Sequence, residues 1–185
     1  FNEISMPEEK APQGPQISLQ KIYLKDASFE SPKSPLIFQN NDWQPEVNLQ
    51  VNTETAPLDD NTFEVNLTLT ASALQGEETV YLVEIKQAGV FTLQGFEDKQ
   101  QLQQVLATFC PSNLFPYARE AISGLVEKGG FPQLLLQPIN FDALYQPVSY
   151  THLRAHETSL HLVCRLLLEK RPDSRPSGRN SFAIG

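Results

Sequence analysis

The chain has 185 residues, enough for one domain with a real core and too few for two of ordinary size. Its formal net charge of −8 is unevenly spread: residues 1–147 hold 8 Lys+Arg against 19 Asp+Glu (−11), and residues 148–185 hold 6 against 3 (+3). So acidic a body is unsuited to nucleic acid or an anionic membrane surface, which need clustered Lys and Arg, and it favours a basic protein partner.

Residues 1–15 are polar, acidic and proline-containing, which predicts a disordered arm and matches neither a secretory signal nor a transit peptide. Residues 17–24, with β-branched and aromatic content, predict the first strand. Asp26, Ser28, Glu30, Ser31 and Pro32 then break the pattern. Between Pro35 and Pro45 turn formers surround Phe38 and Trp43, two rings that belong in the core or along a groove. Three alternating segments follow. Val47, Leu49 and Val51 alternate with Asn48, Gln50 and Asn52, and Phe63, Val65, Leu67 and Leu69 with Glu64, Asn66, Thr68 and Thr70. Tyr81, Val83 and Ile85 point one way, with Val80, Leu82 and Glu84 the other. Period two with one polar face predicts an antiparallel sheet that buries one side, with turns at Asp59-Asp60-Asn61 and around Gly76. Gly89 and Gly95 bracket the end of the last strand.

Asp98 caps a predicted helix running through Phe109, with Leu102, Val105, Leu106 and Phe109 as its apolar stripe. Cys110-Pro111 interrupts it, and a longer helix follows in which Leu114, Ala118, Ala121, Ile122, Leu125 and Val126 share one face. Gly129-Gly130 stops that helix and Pro132 prevents its resumption. Residues 131–141 are too proline-punctuated for another long helix and far more apolar than an ordinary surface loop, so they are expected to cover or line a hydrophobic groove. A short helix ends the region. Strands first and helices second give an α+β fold, with two or three helices on one face of a four-stranded antiparallel sheet.

Two sets of residues stand out as surfaces. Asp26, Glu30, Glu77, Glu78 and Glu84 offer either a solvated sheet face or an acidic docking face; catalysis is a poor fit, since residues 1–147 contain no His to serve as a base. Leu82, on the same side as Glu84, adds a small apolar contact suited to a basic partner. The apolar set comprises Phe38, Trp43, Val47, Leu49, Phe131, Leu134, Leu135, Leu136, Ile139 and Phe141. Taken singly, most of these are expected in the core; together, all except Leu135 are the candidate lining of a groove that the composition permits and that could hold unfolded chains. Arg119 and Glu120 on the long helix could form a surface pair of little energetic worth. His152, His156, His161 and Cys164 have spacing that a zinc site would tolerate, but they sit in a tail of different composition with nothing to frame them. Asn66-Leu67-Thr68 is a chance glycosylation sequon inside a strand. Cys110 and Cys164 lie far apart, so a disulfide framework is not expected and a reducing cytoplasm fits. No phosphate loop or nucleophile elbow occurs.

Three segments, "NLFPYARE", "GGFPQLLLQPINFDALY" and "FEVNLTLTASALQGEETVYLVEIKQAGVF", resemble the bacterial protein-export chaperone family SecB. The resemblance implies an ATP-independent cytoplasmic holding chaperone that binds unfolded precursors and hands them to the motor ATPase SecA. It implies a homotetramer, a dimer of dimers, joined through the long helix at Leu114, Tyr117, Arg119, Glu120 and Ile122. It assigns SecA docking to Asp26 and Glu30 in "KDASFE" and to Leu82 and Glu84 in "YLVEI", with no cofactor or metal in this chain. A relative serving as a general antiaggregation factor or in a toxin–antitoxin system would keep the groove without the docking set, and a small α+β hydrolase is the rival of another class. The resemblance spans a chaperone domain at 16–146 and stops there. Residues 147–185 read as a non-native or disordered tail joined in frame, within which Leu160, Leu162, Val163, Leu166 and Leu167 could pattern a short helix.

Overall fold

A computed structural model describes residues 14–39, 45–145 and, for the backbone, 158–164. The arm up to residue 13, Trp43, His152, His156, Leu166 and Leu167 lie outside the described residues. The four expected strands are β1 (Gln16–Glu30), β2 (Glu46–Asp59), β3 (Thr62–Gln75) and β4 (Glu78–Gln94). All pair antiparallel, in the order β1-β4-β3-β2, through tight turns at Asp60-Asn61 and at Gly76, where φ is +64°. A fifth strand, β5 (Thr158–Cys164), pairs antiparallel with the outer edge of β2, so the tail segment containing Leu160, Leu162 and Val163 is extended rather than helical. His161 and Cys164 fall within it.

One face of this sheet carries the core. Val65, Leu67, Leu69, Ala71 and Ala73 of β3 and Tyr81, Val83 and Ile85 of β4 are buried, as alternation requires. Val80 is a correction. It is fully buried instead of facing outward, because Ala73 pairs with Tyr81 and Leu74 with Thr79, which leaves Val80 as the extra residue of a β-bulge. β1 is another. It runs to Glu30, beyond the polar residues expected to end it, because an edge strand with an open face tolerates Asp26, Ser28 and Glu30 in the ladder.

Two helices follow: α1 (Lys99–Ala107), whose N-cap Asp98 accepts from the Gln100 amide at 2.8 Å, and α2 (Phe109–Lys128). The break falls at Thr108 and not at Cys110-Pro111. Pro111 sits in the first turn of α2, where its missing N–H has no intrahelical acceptor to lose, and Phe109 opens the second helix instead of closing the first. α2 packs across β3 and β4 and contacts β1. It ends as a Schellman motif: the Gly130 amide donates to Glu127 O, the Phe131 amide to Val126 O, and Gly130 has φ +85°. After an irregular segment comes α3 (Phe141–Leu144), capped by Asn140, whose Oδ1 accepts from the Ala143 amide at 3.1 Å.

Candidate functional site

Because α2 covers one face of the sheet, the other is left open among the described residues, and register decides what it presents. Glu30 of β1 stands opposite Leu82 of β4, Ser28 opposite Glu84, and Asp26 opposite Lys86. The four residues singled out as a docking set are therefore neighbours on adjoining strands, facing the same way. Leu82 is 36% exposed, and the Glu84 carboxylate accepts from Thr70 Oγ1 at 2.6 Å, which fixes its position. Asp26 and Glu30 carry no ion pair among the described residues. The lysines nearby are occupied: Lys25 with Glu64 at 2.7 Å, Lys33 with Glu78 at 3.1 Å, and Lys86 with Glu54 at 3.2 Å. Lys25 is the bulged residue between Leu24 and Asp26, which turns it toward β3. Glu64 also accepts from the Tyr23 hydroxyl and from Asn66 Nδ2. The Lys25 ammonium and then the Tyr23 phenol hold the Glu64 carboxyl at about 2, well below its ordinary range, and the same contact raises Tyr23.

The second surface lies at the end of α2. Phe131, delivered by the Schellman turn, packs its ring against Phe38 (5.1 Å between centroids), Tyr81 (5.0 Å) and Phe29 (6.1 Å). Beyond it the chain alternates, with Leu134 and Leu136 buried and Leu135 60% exposed. This alters the expected groove lining. Phe131, Leu134, Leu136 and Phe141 are interior anchors, and Val47 and Leu49 are core residues of β2, since each faces α2 or the sheet interior. What remains open is Phe38, 50% exposed at the end of the 3₁₀ turn Leu36–Gln39, with Leu36, Leu135 and the partly buried Ile139. Leu135, omitted from the candidate lining, is thus one of its accessible members; in a run of three leucines the sequence carries no phase to separate inward from outward. A trough of about 440 Å³ separates this segment from α2, lined by Pro116, Arg119, Glu120 and Ser123 on the helix and residues 133–138 opposite.

The outer side of α2 presents Tyr117, Arg119 and Glu120 to solvent. Leu114 and Ile122, expected at an interface, are instead fully buried on the sheet side, as their share of the apolar stripe dictates. Cys110 is also buried, and burial pushes its thiol up to about 12, which disables it as a nucleophile. Among the described residues no group of three or more His, Cys, Asp or Glu is placed to hold a metal, and no helix is long and apolar enough to cross a membrane.

Residues 10–151 match the family described as "Preprotein translocase subunit SecB". The chain belongs to the SecB family. Curated SecB relatives agree along most of the chain. A "Protein-export protein SecB" from Marinobacter nauticus is 56% identical over 131 residues, covering 71% of this chain and 78% of the relative. One from Pseudomonas syringae pv. tomato is 49% identical over 150 residues, covering 81% and 90%. Among solved structures, the Mycobacterium tuberculosis Rv1957 SecB-like chaperone, in complex with a ChAD peptide from the Rv1956 HigA1 antitoxin, superposes with a TM-score of 0.57. It is 19% identical and covers 66% of this chain and 90% of its own, a likeness of fold. The SecB match ends at residue 151, so β5 lies outside it.

Proposed function

We propose that the chain is an ATP-independent cytoplasmic holding chaperone, which binds precursor proteins before they fold, keeps them competent for export and delivers them to the SecA motor. The observation that carries this reading is the separation of two surfaces by one sheet: an open face with Leu82 among the carboxylates of Asp26, Glu30 and Glu84, and apolar side chains exposed around the segment that follows α2, with Leu135 lining a trough against the middle of that helix. The work is binding alone. An unfolded segment gains about 25 cal/mol per Å² of apolar surface covered, which becomes strong over a long contact without any reading of sequence. Phe38, Leu36, Leu135 and Ile139 meet the client, with Trp43 as a further contact, while Phe131, Leu134, Leu136 and Phe141 hold that surface in shape. Asp26, Glu30, Leu82 and Glu84 take a basic segment of SecA.

Assembly as a dimer of dimers fits two uncovered apolar features, Leu19 and Leu24 on the edge strand β1 and Tyr117 on α2. Relatives at 49–56% identity carry the name protein-export protein, which favours export over an antitoxin-linked role. By this reading the chain acts through binding, as a non-enzyme, in keeping with the SecB family. The tail expected from residue 147, of which residues 152–185 lie beyond the family match, is foreign by this reading, and intact mass measurement on the protein from its natural source tests that: a mass including the tail would refute it.

The test of the holding activity is light scattering of a denatured precursor diluted into the protein without ATP. Suppression at about one tetramer per client is the expected result, and Leu135→Ser combined with Phe38→Ser should raise the protein required several-fold. Aggregation that proceeds unchanged in the presence of the wild-type chain would refute the proposal.

A further inference from the structure

The ion pair between Lys86 and Glu54 runs in an unexpected direction. In the β1–β4 ladder Lys86 stands directly opposite Asp26, and directly opposed side chains on one face have Cβ atoms about 4.5–5.5 Å apart. Asp26 is therefore the carboxylate that register brings nearest. The ammonium instead crosses β3 to reach Glu54 on β2, two strands away, at 3.2 Å. Both partners are about one-third exposed, so neither is forced together by burial. On this side of the face the Oδ1 atoms of Asn52 and Asn66 are buried without hydrogen-bond partners among the described residues, and their acceptor character favours a cation there. Register places Asn66 beside Glu54, and Asn52 in the row of Lys86 and Thr68.

We propose that Glu54 is a positioning residue for partner docking. It holds the Lys86 ammonium over β2 and β3, and so leaves Asp26 free, with Glu30 and Glu84, to meet the cationic segment of a partner. The inference rests on the docking reading given above. Without the Glu54 carboxylate, Lys86 falls back on Asp26 across the strand pair. One docking carboxylate is then neutralised, and a positive charge is set against a positive partner. Glu54 itself need not touch the partner, because its effect passes through Lys86.

A double-mutant cycle on the full chain separates this from a simple sum of charges. The probe is SecA, titrated at low ionic strength, with client holding and thermal melting as controls for folding. Glu54→Gln should weaken SecA binding by about three- to tenfold, the scale of one charge at an interface rim. In a Lys86→Met background the same substitution should have no effect, and Asp26→Asn should weaken binding in the wild-type chain but not in Glu54→Gln. Glu54→Ala gives the same reading should the amide variant fold poorly. An equal loss from Glu54→Gln in both backgrounds would overturn the proposal, since a carboxylate acting only through the general field does not depend on Lys86. Failure of the wild-type chain to bind SecA would overturn the docking reading itself, and this proposal with it.

Discussion

Glu64 shows how one side chain organises the polar side of the sheet. It accepts from Lys25, Tyr23 and Asn66, three residues drawn from β1 and β3, and so ties the edge strand to the centre. Its folded pKa of about 2 lies below the ordinary 4.5. A carboxyl with a depressed pKa stabilises the fold above its unfolded value, and that contribution disappears as pH falls through the folded one. Glu64→Gln should therefore destabilise the chain at neutral pH, by up to about 1 kcal/mol for an ion pair whose lysine is solvent-exposed. The gap between the two proteins should close as pH drops from about 4.5 toward 2, as followed by urea unfolding at each pH. A gap that stays constant through that window would contradict the assignment.

The helix stop is decisive among the elements, because it aims the segment that follows. Gly130 supplies the left-handed residue, and Gly129 supplies room: a Cβ there would lie 2.2 Å from Cζ of Phe29. Phe29 has little freedom to yield, since its ring stacks on Tyr81 at 5.8 Å and meets Phe131. Gly129→Ala should cost about 1–3 kcal/mol by overpacking, despite an ordinary helical φ of −71°. It should also loosen Phe131 and the apolar surface beyond it, read as a lower unfolding midpoint together with poorer holding of a denatured client. Unchanged stability would mean that the ring moves aside freely.

The helix stop and the strand alternation were legible in the residues because each has a local cause: glycines where a cap is wanted, and one polar face per strand. The bulge at Val80 has none, since it follows from how β3 and β4 mesh, and it buried a residue that counting by twos had placed outside. The polar stretch of β1 misled for the opposite reason, because Asp26 and Glu30 look like strand breakers until a neighbouring strand accepts them. The candidate site was legible in kind more than in detail. Alternation placed Leu82 and Glu84 together, whereas Asp26 and Glu30 were grouped with Glu84 by charge alone and narrowed to the same docking set only through family resemblance. The loop's greasiness was plain, but which of Leu134, Leu135 and Leu136 looks outward was settled by packing against α2.

At the scale of the whole molecule, the sheet acts as a partition. Phe29 and Tyr81 face the aromatic cluster around Phe131, beside the proposed client surface, and the residues that follow them, Glu30 and Leu82, face the opposite side. The proposed function then has two partners of unlike chemistry held at once, one by apolar contact and the other by charge. The β5 strand covers the outer edge of β2 and leaves both surfaces uncovered among the described residues. The most direct test is calorimetric titration of SecA into the chain, free and preloaded with an unfolded precursor. Binding of similar strength in both cases, reduced about tenfold in both by Glu84→Lys, is the result expected of separate surfaces. Loss of SecA binding on loading with client, while the free chain binds, would contradict the account.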